Sequence, residues 1–61
     1  MRVKIEVTMD NAAFESDPGI ELGRILRQAV RMMENEGVQA CANSSLYDIN
    51  GNKVGYVKVL K

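Results

Sequence analysis

Histidine is absent from this chain, cysteine and proline occur once each, and there is no tryptophan. Each scarcity removes a class of chemistry. Without histidine there is no Ser-His-Asp triad and no imidazole general base, and one cysteine alone cannot assemble a zinc site. Cys41 has no second thiol to pair with, so no internal disulfide supports a chain of 61 residues. A core of this size contributes only about 3–5 kcal/mol of net stability, and such chains often lean on a second subunit instead. Neither sign of charge is in excess: eight Lys and Arg stand against eight Asp and Glu. That balance argues against a dedicated nucleic-acid binder, whose affinity rests on surplus cations meeting phosphates. It also supplies no electrostatic attraction to a membrane. No apolar run approaches the length of a membrane span, and Met1 to Glu6 lacks the apolar stretch of a signal peptide.

What is present is periodic. From Arg2 to Met9 the residues alternate, Val3, Ile5, Val7 and Met9 on one side and Arg2, Lys4, Glu6 and Thr8 on the other. Period two with β-branched residues predicts a half-buried strand over 2–9. A polar connector follows, with Phe14 in its middle as an anchor over the core edge. Asp17-Pro18-Gly19 opens a helix over 18–36: Asp17 can cap free N–H groups, and Pro18 suits the first helical position. Glu21 in the first turn complements the helix dipole. Leu22, Ile25, Leu26, Ala29, Val30 and Met33 recur at spacings of three and four, one apolar face for a sheet to receive. Gly37 ends the helix. A strand over 42–48, irregular at its start, and a strand over 53–60 flank Asn50-Gly51, two residues that tolerate the positive φ of a tight hairpin turn.

The fold class this implies is α+β: a single β-α-β-β domain spanning 1–61, with one helix packed on one face of a three-stranded, mostly antiparallel sheet. If the last strand inserts between the other two, the order is 1-3-2 and every pairing is antiparallel; order 1-2-3, with one parallel pair, is the alternative. The face away from the helix is then uncovered. A two-residue turn would set Tyr47 opposite Val54 and Ser45 opposite Tyr56, making Tyr47, Val54 and Tyr56 an aromatic-aliphatic cluster there. A longer, bulged turn would change that parity. Such a cluster either stabilises a small sheet through cross-strand pairs or forms a dimer or partner interface.

Candidate chemistry is thin. Arg24, Arg27 and Arg31 lie along one line of the helix opposite its apolar stripe and could meet a polyanion. Glu21 and Glu34, three residues from Arg24 and Arg31, make a solvated, locally neutral face the simpler reading. Asp48-Ile49-Asn50-Gly51-Asn52 superficially matches the start of a calcium loop, but its glycine stands fourth rather than sixth and no carboxylate follows at the twelfth place. A turn in which Asp48 and Asn52 bond the backbone accounts for it better. Asp10, Glu15 and Asp17 gather near the first loop, but so small a fold is expected to lack a useful cleft. Cys41 has no neighbouring base and reads as a small buried residue. No catalytic, metal-binding or cofactor-binding residues are expected, and no cofactor.

One resemblance covers nearly the whole chain. Met9-Asp10-Asn11-Ala12-Ala13-Phe14-Glu15, then Asp17-Pro18-Gly19-Ile20-Glu21, then the hairpin Asp48-Ile49-Asn50-Gly51-Asn52-Lys53-Val54-Gly55, is similar to short uncharacterised bacteriophage and prophage proteins. Those share a "DNAAFE" segment, a helix beginning near "DPG-E" and a closing hairpin. The segment from Val38 to Ser45 shows no shared pattern. The resemblance implies a setting, a phage or prophage accessory protein in the bacterial host cytoplasm, and transfers no functional residue. The expectation is a non-enzymatic protein that binds a host or phage protein, as a homodimer and without membrane attachment. A nucleic-acid-binding module using Arg24, Arg27 and Arg31 or the open sheet face is the rival.

Overall fold

The computed structural model describes residues 1–60 and gives the order strand, helix, strand, strand. Strand β1 spans Arg2–Val7, helix α1 Pro18–Glu36, strand β2 Ser44–Tyr47 and strand β3 Lys53–Leu60. The sheet runs β1-β3-β2 with both pairings antiparallel, which decides between the two orders the sequence allowed. Two single 3-10 turns, Ala12–Phe14 and Gln39–Cys41, lie on either side of the helix in sequence.

Local chemistry explains most boundaries. The Asp17 carboxylate accepts from the Ile20 N–H at 3.1 Å, and Pro18 opens the helix. Gly37 closes it at φ 87°, its N–H donating to the Met33 carbonyl. β1 ends at Val7, two residues earlier than the alternation suggested, although the Thr8 N–H still donates to Val54 O at 2.7 Å. β2 is also shorter than the expected 42–48. The 3-10 turn carries the chain to Cys41, and Asn43 takes a left-handed φ of 62° before pairing begins at Ser44.

The core is Phe14, Ile25, Ala29, Leu46, Val54 and Val57, with Cys41 also buried. Phe14 anchors its loop as expected. Asn11 positions it, its Oδ1 accepting from the Ala13 N–H at 3.2 Å. Gly55, in the central strand between Val7 and Leu46, allows β1 to come close: a Cβ built there would sit 2.0 Å from the Glu6 carbonyl oxygen.

The helix buries only part of the stripe the sequence marked out: Ile25 and Ala29 are in the core and Met33 packs against it. Its buried line is Glu21, Ile25 and Ala29, while Leu26 and Val30 remain exposed. The helix is rolled toward its Glu21 side. The partners of Glu21, described next, supply the reason.

Candidate functional site

Among the described residues two polar side chains are buried, Glu21 and Asp48, and both bind backbone. Arg24 grips the Glu21 carboxylate with two N–H groups, Nε to Oε1 at 2.9 Å and Nη2 to Oε2 at 3.0 Å. The Ile49 N–H donates to Glu21 Oε2 at 2.8 Å, and Arg24 Nη2 also donates to the Tyr47 carbonyl at 3.2 Å. The pair thus ties the first turn of α1 to the loop leaving β2. The Arg24 bond holds the Glu21 carboxyl below its ordinary range, against the upward push of burial and with help from Ile49.

Asp48 organises the hairpin loop. Its Oδ1 accepts from the Asn50 and Asn52 N–H groups, both at 2.9 Å; its Oδ2 accepts from Asn11 Nδ2 at 2.6 Å and Asn52 Nδ2 at 3.3 Å. Burial pushes this carboxyl up, and the N–H groups of Asn52, Asn11 and Asn50 outweigh it, so the net displacement is downward. These bonds also explain why the turn is not the two-residue kind. The Asp48 N–H donates to Asn52 O and the Gly51 N–H to Asp48 O, leaving Ile49, Asn50 and Gly51 as a three-residue loop. Gly51 alone takes a positive φ, 83°. The register then shifts between Leu46 and Tyr47.

That shift dissolves the expected cluster. Ser45 does pair with Tyr56, but Tyr47 pairs with Lys53 instead of Val54. Val54 is 8 % exposed and belongs to the core cluster. Tyr56 is half-buried on the open face, its hydroxyl donating to Glu6 Oε2 at 2.5 Å, while Tyr47 is exposed. The three arginines do not act as one line either. Arg24 is committed to Glu21 and Tyr47, whereas Arg27 and Arg31 are exposed. Among the described residues Arg24–Glu21 is the one ion pair, so Arg31 and Glu34 are not joined.

The open face carries features that single-strand periodicity could not show. A shallow concavity of about 440 Å³ lies there, bordered by Glu6, Thr8, Lys53 and Tyr56; the expectation of no useful cleft is corrected to that extent. It lies where the β1–β3 pairing ends, at Val7–Gly55 and the Thr8 N–H bond to Val54, with Asp10 and Asn11 of the following loop also bordering it. Lys4 stands directly opposite Lys58, with Arg2 two residues along the same face. Like charges in direct cross-strand pairs repel. Asp10, Glu15 and Asp17 do not converge: among the described residues no cluster of three or more potential metal ligands forms.

β1 is the other unexpected region. Ile5 pairs with Val57, which is fully buried under the helix, so Val3, Ile5 and Val7 share the helix-side face. Yet Val3 and Ile5 remain 43 % and 41 % exposed. The helix covers β2 and β3 and leaves this face of β1 largely open.

In comparisons with known proteins, no family model matches the chain, and no curated protein or solved structure matches it. Among the described residues no helix is long and apolar enough to cross a membrane.

Proposed function

We propose that this is a small non-enzymatic accessory protein of a phage or prophage that works by binding another protein, itself as a homodimer. The observation that carries the reading is apolar surface left outside the core. Val3 and Ile5 on β1 and Leu26 and Val30 on α1 are each more than a third exposed in a chain with little core to spare. Exposed apolar surface of this kind marks protein contacts. The phage setting rests on the resemblance of the "DNAAFE" and "DPG-E" segments and of the hairpin. The open face, where Tyr56 borders the concavity and Tyr47 is exposed on the neighbouring strand, is the surface we assign to the heterologous partner.

A second reading has one observation in its favour. Arg2, Lys4 and Lys58 gather on the open face near Tyr56, an arrangement suited to a phosphate backbone and a stacked base. Titration with single- and double-stranded DNA and RNA at two salt concentrations separates the two. Protein binding predicts no association at low salt, and a discrete host or phage protein retained by the tagged chain from infected or lysogenic cells. Salt-dependent nucleic-acid binding with no retained protein would overturn it.

A further inference from the structure

We infer that the homodimer forms by antiparallel pairing of β1 with β1 of a second copy about a two-fold axis through Ile5. The inference rests on the homodimer reading above and specifies its surface. β1 is an edge strand of the sheet, six residues long. The Thr8 N–H points to β3, donating to Val54, so by the two-residue period Val3, Ile5 and Val7 turn their N–H and C=O groups to the free edge. An unpaired row of this kind is a template for another strand.

Charge selects both occupant and register. A two-fold antiparallel pairing sets one residue against its own copy. Centred on Lys4 it would oppose two lysines; centred on Glu6, two glutamates; centred on Val3, Arg2 against Lys4. Centred on Ile5 it brings Ile5 to Ile5, Val3 to Val7 and Lys4 to Glu6, the last two twice over, with no like charges opposed. The partner's Glu6 then lies beside Lys4, which inside one copy faces only Lys58. A centre at Val7 would oppose no like charges either, but β1 ends there, so Ile5 is the one centre at which the strand pairs with itself along most of its length. On the helix side the same axis sets two half-exposed rows of Val3, Ile5 and Val7 side by side. Leu26 and Val30 lie on the flank of each helix turned away from the Arg24 contact with β2, and they extend the apolar strip. The result is a continuous six-stranded sheet with a helix over each end.

Sedimentation equilibrium at micromolar concentration tests this on the whole chain. The wild type is expected to be dimeric and Ile5→Lys monomeric, with the helical circular dichroism of both unchanged. Lys4→Glu and Glu6→Lys should each weaken the dimer about tenfold, and combining them should restore it. Should Ile5→Lys fail to fold, Ile5→Cys in a Cys41→Ala background reads the same contact. Hydrogen-bonded cross-strand Cα atoms lie about 5.5 Å apart, within disulfide reach, so oxidation should give a covalent dimer. A strictly monomeric wild type overturns both the interface and the homodimer reading. A wild-type dimer that survives Ile5→Lys, is not cross-linked through position 5 and is lost on Tyr47→Ser overturns the interface alone.

Discussion

The end of the molecule where the helix begins and the outer edge of the sheet at β1 are built on opposite principles. At the first, Arg24 bonds Glu21 and Asn11 bonds Asp48, both pairs also bind backbone of the Tyr47–Asn52 segment, and none of the buried side-chain polar atoms among the described residues lacks a partner. At the second, a strand with the residue pattern of a core element has its apolar face more than a third open at Val3 and Ile5. The comparison teaches where a small chain spends its burial. Satisfying the buried Glu21 carboxylate with the Ile49 N–H turns the helix toward the β2 end, and Leu26 and Val30 on its other flank stay outside the core while β1 is left short of cover. A buried charge must be bonded, so the polar corner takes precedence and the apolar surplus goes outward.

The contrast can be broken most severely where the two regions meet. Gly55→Val should abolish the cooperative urea transition or reduce stability by about 3 kcal/mol or more, because its Cβ would meet the Glu6 carbonyl, backbone that cannot swing away. Next comes a matched pair. Ile25→Ala, fully buried, should cost about 2–5 kcal/mol by chemical denaturation. Ile5→Ala should cost under about 1 kcal/mol at dilutions where the chain is monomeric. Equal losses would show that β1 is as well covered as the core.

The polar corner has its own test. Glu21 and Asp48 both titrate below their ordinary values. A carboxyl with a depressed folded-state pKa stabilises fully above its unfolded pKa, and that contribution is lost as pH falls through the folded value. The urea midpoint should therefore decline below about pH 4. Asp48→Asn should lower the midpoint at neutral pH and flatten this acid limb. A double change with Glu21→Gln should nearly remove it. A backbone position outside both regions completes the series, Asn43: a β-branched residue at its left-handed φ should cost about 1–2 kcal/mol, so Asn43→Val should lower the midpoint while Asn43→Gly leaves it nearly unchanged.

Elements governed by near neighbours were legible from the chain. The alternation of Arg2 to Val7, the Asp17-Pro18 start and Gly37 end of the helix, the Phe14 anchor and the Glu21–Arg24 pair all depend on residues a few positions apart. The candidate site was legible only in part. Tyr56 was placed on the open face and opposite Ser45, but Tyr47 and Val54 were parted by one residue of register. The cause was Asp48, whose carboxylate gathers N–H groups from Asn50, Asn52 and Asn11. An Asp four places before an Asn in a glycine turn was the available signal for a longer loop; the bond from Asn11, 37 residues away, had none.

By itself the order of residues determined the kinds of element, their caps and which side of each strand is apolar, since these follow from backbone geometry and short-range bonding. Only the folded arrangement decided which apolar residues would be buried. The helix has more apolar surface than one orientation can cover, and its rotation was set by Glu21 finding the Ile49 N–H across 28 positions of chain. Local periodicity carries no information about such a distant partner.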